Sequence, residues 1–384
     1  MQTYHRFWFL LAGGVIFALG ALALAFGARP GFAQQAVHEP PFIPTPPPTV
    51  PASPPQPDRI LSGVIPGLPD GLMLVEGDIL IKTSDFERRY NISGSNAPNG
   101  TYEVNTWPNG VVPYEFDDNV TAANRALMRD AMAWWENIAN VDFAQCSSNV
   151  CLGDFVHIQD SGSNNAQVGR AGNEQLINIA DWNSPAIMAH ELGHALGLEH
   201  EQNRPDRNSY VTVNFANICK ATDSSCMGGF CFNNASPPER IDCDFNFNIL
   251  PASVSLYGSY DFDSVMHYER NAFSRNGYDT ITVLPPNATT WQNAIGQRTH
   301  LSVGDKNVMG CMYSRASWRW TSTTAVPGYA YGTCLYPYAS LITGLANTPA
   351  QGTLWIEPGT YSGITTLNQA ITLKAPNGGV TIGN

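Results

Sequence analysis

The chain has 384 residues, more than one ordinary domain needs, so we expect two or more distinct sections. Its 20 Lys and Arg against 32 Asp and Glu give a formal net charge of −12, which argues against nucleic acid or an anionic membrane surface as the main partner. With 43% hydrophobic residues it can bury a core, which excludes wholesale disorder. The eight cysteines suit an oxidising compartment if the chain is exported.

Residues 1–33 have the pattern of an export signal. Arg6 gives a weakly basic start, residues 7–26 are nearly all apolar, and Gly31 and Ala33 put small residues where signal peptidase cuts. The alternative is an uncleaved anchor, because about 20 apolar residues can span a bilayer. We expect cleavage, secretion to the extracellular space, and no stable membrane insertion after the signal is removed.

Two short sections follow the signal. Prolines crowd residues 34–59, which predicts an extended, semi-rigid linker, with a recognition site for a proline-binding partner as the alternative. In residues 60–97 an apolar run is interrupted by Gly77 and Asp78, and a dibasic pair stands at 88–89. This pattern predicts a strand, a turn and then a charged loop.

The stretch from 188 to 201 has the spacing of a zinc site. His190 and His194 are four residues apart, so on a helix both imidazoles leave the same face, one turn apart. Glu191 stands beside them, suited to take a proton from a metal-bound water. With His200 as the third ligand, a fourth position stays open for water, which is typical of a catalytic rather than a structural zinc.

The helix that carries this pattern has predictable ends. Ser184 and Pro185 suit the N-cap and the first helical position. Gly197 has the permissive backbone that ends a helix and lets the chain turn so that His200 returns to the metal. The alternative, exposed histidines on a solvated helix face, is disfavoured by the glycine and the third histidine at the offsets that a metal site needs.

The full pattern, H-E-x-x-H-x-x-G-x-x-H, marks the metzincin clan of zinc peptidases. Its continuation resembles the astacin family, and the resemblance covers roughly residues 99–313. The blocks that carry it are 107–114, 190–214, 264–268 (the Met-turn), 268–275 (similar to the tolloid branch) and 295–305. It implies that residues 98–315 form an α+β catalytic domain with two subdomains, a twisted sheet and an active-site helix.

The resemblance also implies the roles of single residues. Glu191 would be the general base and then the acid, and Tyr268 would be a displaceable extra ligand that hydrogen-bonds the developing oxyanion, or else a buried core tyrosine. Met266 would pack beneath the metal as a structural floor. The ligands of one catalytic Zn²⁺ would be His190, His194 and His200.

Further residues would shape binding of protein or peptide substrates. Glu201 would anchor the mature N-terminus, or it is an exposed glutamate just past a helix end. Substrate is expected to lie extended against an edge strand, for which residues 175–179 are the candidate. By the tolloid likeness, Arg270 or Arg275 would favour an acidic residue just after the scissile bond, with a solvated arginine as the alternative for each.

The Gly-Asp pair at 77–78 gains a meaning from the same resemblance. Astacin prosegments carry a Phe-x-Gly-Asp motif whose aspartate binds zinc in place of water, and here Val75 replaces the phenylalanine. Residues 60–97 would then be a prosegment with Asp78 as the latency ligand of a zymogen. An activating protease would have to cut after Asp78, between 88 and 99.

The cysteines depart from the family's positions. Local pairing is the simplest arrangement, and a zinc ribbon is disfavoured because the central cluster lacks a C-x₂-C pair. We expect a disulfide-stapled loop near the cleft. The expected bridges join 146 with 151 and 311 with 334, with two more inside the cluster of Cys219, Cys226, Cys231 and Cys243.

The tail, residues 316–384, has few charges and short alternating strands separated by Gly, Pro and Asn. It resembles rungs of a pectin-lyase-like parallel β-helix. One or two coils are too few for a solenoid, so we assign no carbohydrate activity. We expect a short all-β extension that packs on the peptidase, mediates assembly or remains from sorting.

Two functions compete for the whole chain. The first is a secreted zinc endopeptidase, made as a zymogen, that hydrolyses peptide bonds with a zinc-activated water. The second is a secreted binding or scaffold protein with a non-catalytic, peptidase-like domain. Because every catalytic residue type is present, the sequence favours the first.

Overall fold

A computed structural model gives the fold, and it describes residues 71–85, 89, 105–229, 231–232, 239–251, 254, 256–325, 330–334, 336–363, 367 and 369–383. The expected signal (1–33) and linker (34–59) lie outside the described residues. So does the expected activation region between 88 and 99, apart from Arg89. No helix among the described residues combines the length and the apolar character needed to cross a bilayer.

Within these residues the chain forms sixteen strands and five α-helices. The strands are β1 (Leu72–Val75), β2 (Ile79–Lys82), β3 (Val111–Phe116), β4 (Asp142–Gln145), β5 (Phe155–Asp160), β6 (Asn165–Gln167), β7 (Glu174–Ile179), β8 (Val211–Val213), β9 (Cys231–Phe232), β10 (Arg240–Ile241), β11 (Ile281–Val283), β12 (Trp318–Thr321), β13 (Thr353–Ile356), β14 (Gly359–Tyr361), β15 (Thr372–Lys374) and β16 (Val380–Ile382). The helices are α1 (Ala122–Glu136), α2 (Pro185–Leu196), α3 (Ala288–Trp291), α4 (Val303–Met312) and α5 (Leu341–Asn347).

The principal sheet has seven strands in the order β1-β2-β6-β7-β5-β3-β4. Strands β4, β3, β5 and β7 run parallel to one another, whereas β6 is antiparallel to β7. The β1–β2 hairpin joins the outer side of β6, with β2 parallel to it. Helices α1 and α2 share one hydrophobic core with this sheet, so the predicted α+β fold is confirmed.

The prediction that residues 175–179 form an edge strand for substrate is wrong. Residues 175–179 do belong to a strand, β7, but it lies inside the sheet between β5 and β6. The strand that faces the hairpin is β6, where the Ala166 amide donates to the Asp78 carbonyl at 2.9 Å. Alternation of side chains indicates a strand, but the order of strands in a sheet depends on distant partners.

Helix α2 begins and ends at the predicted residues. The Ser184 hydroxyl accepts a hydrogen bond from the Ile187 amide at 3.3 Å, and Pro185 is the first helical residue. Gly197 ends the helix in the left-handed conformation, with a φ of 109°. At Gly193 a Cβ atom would lie only 3.0 Å from the Met266 sulfur, so the glycine lets the Met-turn pack closely against the helix.

A second hydrophobic core follows α2 in the chain, around Phe245, Phe247, Tyr260 and Phe262, beside the β8–β11 pair. Two disulfides staple the loop that covers this core. The expected local pairing of the cysteines is confirmed throughout. The bridges are Cys146–Cys151, Cys219–Cys226, Cys231–Cys243 and Cys311–Cys334.

The tail is rich in parallel strand pairs. β12, β13 and β15 form one sheet and β14 pairs with β16 in another. Trp318, Trp320 and Trp355 cluster on the first sheet. The expectation of an all-β extension is wrong because helix α5 lies within it. The Ser340 hydroxyl caps that helix by accepting from the Thr343 amide at 3.1 Å.

Candidate metal centre

Three histidines converge at the end of α2 and the turn that follows. Each Nδ1 atom lies near an oxygen acceptor: the Val265 carbonyl for His190 and the Leu198 carbonyl for His194, both at 2.8 Å, and a Glu76 carboxylate oxygen for His200 at 2.9 Å. A carbonyl oxygen cannot donate, so Nδ1 of His190 and His194 carries the hydrogen. The Nε2 lone pairs of these two rings are therefore free to bind a metal.

The geometry around the Nε2 atoms fits a cation. Nε2 of His190 and His194 lie 3.1 Å apart, although both are acceptors when Nδ1 donates. Asp78 faces the same point, with its oxygens 3.0 Å from Nε2 of His190 and of His200. Oδ1 of Asp78 and Nε2 of His200 are buried and face each other at this distance, and among the described residues neither makes a hydrogen bond of good geometry. Three imidazoles and one carboxylate are donors that Zn²⁺ prefers, so the four residues fit the ion.

Burial and charge set the protonation of this group. Burial lowers the pKa of His194 well below its ordinary value, which keeps the imidazole neutral and able to bind a metal. Burial also lowers the pKa of His200, but the carboxylates of Asp78 and Glu76 outweigh it and raise that pKa to about 9. The pKa of Asp78 falls well below its usual range, because His200 and His190 outweigh the opposing effect of burial.

Glu191 is the residue with the chemistry of a proton carrier. Its side chain is buried beside the histidines, and among the described residues its Oε2 atom has no hydrogen-bond partner. Burial raises its pKa well above the ordinary value, the negative charge of Asp78 raises it further, and Arg298 opposes both. A carboxylate with a raised pKa is suited to general acid–base work near neutral pH.

The Met-turn lies directly against the ligands. The Tyr268 hydroxyl donates to the Glu76 carbonyl, and its ring centroid is 4.6 Å from that of His200. Met266 is buried in the core beneath α2. His267, between them, lies near the Tyr260 hydroxyl through Nε2 at 2.8 Å, and burial lowers its pKa to about 4. Its other ring nitrogen, Nδ1, lies 2.7 Å from the Tyr268 carbonyl, so both nitrogens of His267 are engaged within the fold.

Glu201 is partly buried, with 14% of its side chain exposed, so it is not the exposed glutamate of the alternative. Its carboxylate accepts from the Asp261 amide at 2.7 Å and pairs with Arg204 at 3.1 Å. Burial raises its pKa to about 8, although Arg204 opposes the shift. Glu201 lines a cavity of about 50 Å³ together with Asp261 and Asp305. Arg204 also lines this cavity, so its guanidinium offsets part of the negative charge of these carboxylates.

The arginines proposed from the tolloid likeness are engaged elsewhere. Arg270 pairs with Asp279 and Arg275 with Asp223, and among the described residues neither guanidinium contacts the histidine group. The cation beside the site is Arg298, which donates to the His267 carbonyl at 3.0 Å. No carboxylate of the described residues forms a salt bridge with it. In the sequence, only its place in the family-like block 295–305 indicated that Arg298 could belong to the site.

A buried ion-pair network was also not predicted from the sequence. Arg89 is fully buried and contacts carboxylates of both Glu76 and Glu199, the residue just before His200. The pattern of residues around the dibasic pair indicated only a charged loop. Because Arg89 and Glu199 are 110 residues apart, no local spacing relates them.

Known proteins are similar to the part of the chain that contains the three histidines. The profile of the family described as "Astacin (Peptidase family M12A)" matches residues 99–228 and 238–314. Tolloid-like protein 1 of Mus musculus is 38% identical over 204 residues, 52% of this chain and 18% of that protein. Dorsal-ventral patterning protein tolloid of Drosophila melanogaster is 33% identical over 219 residues, 55% of this chain and 18% of that protein.

A solved structure is also similar, and the curated relatives extend far beyond the matched region. High choriolytic enzyme 1, a hatching enzyme zinc-protease from Oryzias latipes, is 28% identical and covers 58% of this chain and 98% of its own, with a TM-score of 0.44. The chain spans less than a fifth of the length of the two curated relatives.

Proposed function

This chain belongs to the astacin family of peptidases, whose profile matches more than half of it, and we therefore propose that it is a zinc-dependent endopeptidase that hydrolyses peptide bonds of proteins. One observation carries the proposal: His190, His194 and His200 bring their ligand atoms together with Asp78, all within 4.8 Å of one another. Glu191 stands beside them as the residue able to move a proton.

The residues divide the work of hydrolysis. His190, His194 and His200 would hold the zinc ion, which would supply a Lewis acid able to lower the pKa of water to about 7 and to polarise a carbonyl. Glu191 takes the proton of the attacking water and returns it to the leaving amine, which its raised pKa suits. The Tyr268 hydroxyl, which donates to the Glu76 carbonyl in this structure, is suited to donate to the substrate's carbonyl oxygen as negative charge develops there.

The catalytic proposal is tested by removing the ion and the base separately. We expect a chelator to abolish proteolysis of a denatured protein by the processed chain, and added Zn²⁺ to restore it. Glu191→Ala should lower kcat by about a hundredfold or more with zinc present, because a general base typically contributes that much. Glu174→Gln, at a half-exposed carboxylate, is the control. Activity that survives both the chelator and Glu191→Ala would favour the scaffold alternative.

We propose further that residues 60–97 keep the chain latent, with Asp78 competing with water for the zinc ion. The contacts of Asp78 with His190 and His200 support this role. Asp78→Ala should raise the activity of the uncut chain toward a fluorogenic peptide, whereas Asp85→Ala in the same segment should not. Unchanged latency of the Asp78 variant would refute the idea.

Four disulfides among the described residues support secretion into an oxidising space, and an activating protease is an implied partner. Analysis of the mature protein's two ends by mass spectrometry tests whether its N-terminus follows the proposed boundary at 33 or at 97, and whether the tail beyond 315 is retained. Recovery of an intact N-terminal segment from the secreted protein would contradict signal cleavage.

A further inference from the structure

Arg89 is held by carboxylates from two different parts of the chain. Its Nη1 and Nη2 atoms lie 2.6 and 2.5 Å from the two carboxylate oxygens of Glu199, a forked pair. Nη2 also donates to Oε1 of Glu76 at 2.9 Å. The side chains of Arg89 and Glu76 are 0% exposed, and that of Glu199 is 9% exposed. The ion pair between the proposed prosegment and the catalytic domain is therefore shielded from water.

The pair lies next to the metal centre without using the metal. Glu199 directly precedes the ligand His200, and the second oxygen of Glu76 lies 2.9 Å from Nδ1 of His200. The Glu76 carbonyl accepts from Tyr268. Arg89 thus fixes Glu76, which contacts Nδ1 of His200 and the hydroxyl of Tyr268. Asp78 faces the other nitrogen of His200, Nε2.

From these contacts we infer that Glu199 is a guanidinium-binding site of the catalytic domain, and that Arg89 is its ligand in the precursor, a second anchor of the prosegment beside Asp78. The inference rests on the proposed function, since an anchor matters only if the prosegment keeps an enzyme latent. The same contact would affect activation, because a protease that recognises the Arg89 side chain can act only after Arg89 has separated from Glu199.

The chemistry of the pair explains why it anchors. A guanidinium matches a carboxylate through two parallel hydrogen bonds, which a lysine ammonium cannot reproduce. Removing Arg89 would leave Glu199 and Glu76 as two buried carboxylates without the cation between them, a costly arrangement that detachment of the prosegment relieves. The open, active population of the uncut chain should therefore rise.

The test compares the uncut full chain with the same variant after activation. Activity of the uncut form is expressed as a fraction of that variant's activated form, so any change in catalysis cancels. Arg89→Met and Glu199→Gln should each raise this fraction about tenfold or more, the effect of truncating a buried charge pair. The double variant should rise no further than the larger single one, and Arg89→Lys should lie between Arg89→Met and wild type.

Lys82→Met is the matched control. This prosegment lysine donates to the Ala171 carbonyl at 2.9 Å, so its removal deletes a cationic contact with the catalytic domain but no carboxylate pair. It should leave latency close to that of wild type. An equal rise for Lys82→Met, or additive effects of Arg89→Met and Glu199→Gln, would overturn the anchor.

Hydrogen exchange gives a readout that does not depend on activity. The amides of residues 71–85 should exchange roughly tenfold faster in Arg89→Met than in wild type, and unchanged exchange would refute the inference. If the activated wild type fails to hydrolyse any peptide, the proposed function fails, while the exchange data still decide the anchor. Should Arg89→Met fail to fold, Glu199→Gln and Arg89→Lys carry the same comparison.

Discussion

Arg298 lies close enough to Glu191 for its charge to act on that carboxylate, which is not so for Arg270 and Arg275. Its charge lowers the pKa of Glu191, while the other two arginines are paired with Asp279 and Asp223. One of its guanidinium nitrogens donates to the His267 carbonyl, and among the described residues no carboxylate forms a salt bridge with it, although the charges of Asp78, Glu191 and Glu269 act on it. We expect this cation to attract an acidic side chain of the substrate, even though the chain as a whole carries a net charge of −12.

Replacing Arg298 should therefore change specificity. In Arg298→Gln we expect the ratio of kcat/KM for a peptide with Asp after the scissile bond to that for its Ala analogue to fall about tenfold, the usual effect of losing one charge-assisted contact. Peptide kinetics on the activated chain measure it. Arg270→Gln should leave the ratio unchanged. Equal losses for both peptides in Arg298→Gln would contradict a role in selecting acidic residues.

At the residue scale, local spacing was enough to predict which side chains of α2 lie together. It could not predict contacts between residues that are far apart in the sequence. His190, Glu191 and His194 lie within five consecutive residues, so the periodicity of one helix brings them together. Arg89 meets Glu199 across 110 residues, and Glu76 meets His200 across 124. Contacts of that kind depend on how the sheet assembles, which no short pattern encodes.

The β1–β2 hairpin presents Asp78 to the metal centre through a tight turn. Its connection passes through Glu76 and Gly77, both in the left-handed region with φ of 52° and 81°. At Gly77 a Cβ atom would lie 2.6 Å from the ring of Phe273. Glycine is needed there both for its backbone conformation and for the close approach of the aromatic ring.

Gly77→Ala should consequently loosen the hairpin. The added methyl group has to displace the Phe273 ring or move the turn, and Asp78 follows the turn away from His190 and His200. We expect the uncut chain to become several-fold more active on a fluorogenic peptide. Gly71→Ala, where a Cβ would meet no atom within 4 Å, is the control at a second left-handed glycine. Matching behaviour of the two variants would show that backbone strain alone is responsible.

Whole elements were predictable where their signals are local. The ends of α2 follow from Ser184 and Gly197, residues that act within one turn of the chain. The place of β7 inside the sheet did not follow, because alternation in 175–179 gives no information on its neighbours. Helix α5 was missed because it is short and lies in a segment dominated by strand signals.

For the molecule as a whole, the candidate metal centre lies where separate cores meet. The ligand helix α2 belongs to the core under the large sheet, whereas Tyr268 belongs to the second core, and the β1–β2 hairpin has a small core of its own. These two larger cores agree with the expected two-subdomain catalytic domain. An ion bound by residues of α2, the following turn and the hairpin should stabilise their joint packing.

Removing the ion should therefore lower the stability of the uncut chain. A ligand present at a hundred times its Kd stabilises the folded state by about 2.7 kcal/mol, which corresponds to a fall in Tm of roughly 5–10 °C on its removal. We expect a chelator to produce that fall and Zn²⁺, but not Ca²⁺, to reverse it, because imidazole ligands suit zinc and calcium prefers oxygen. Calorimetry with and without each ion measures it.

Two histidine variants distinguish zinc bound at the three histidines from zinc bound elsewhere on the protein. His194→Ala removes a fully buried ligand and should abolish the zinc-dependent part of Tm, while leaving the chelated protein's transition in place. His300→Ala, at a histidine whose side chain is 53% exposed, should retain the full response. A zinc-dependent Tm that persists in His194→Ala would mean that the stabilising ion binds elsewhere, and the convergence of His190, His194 and His200 would then need another explanation.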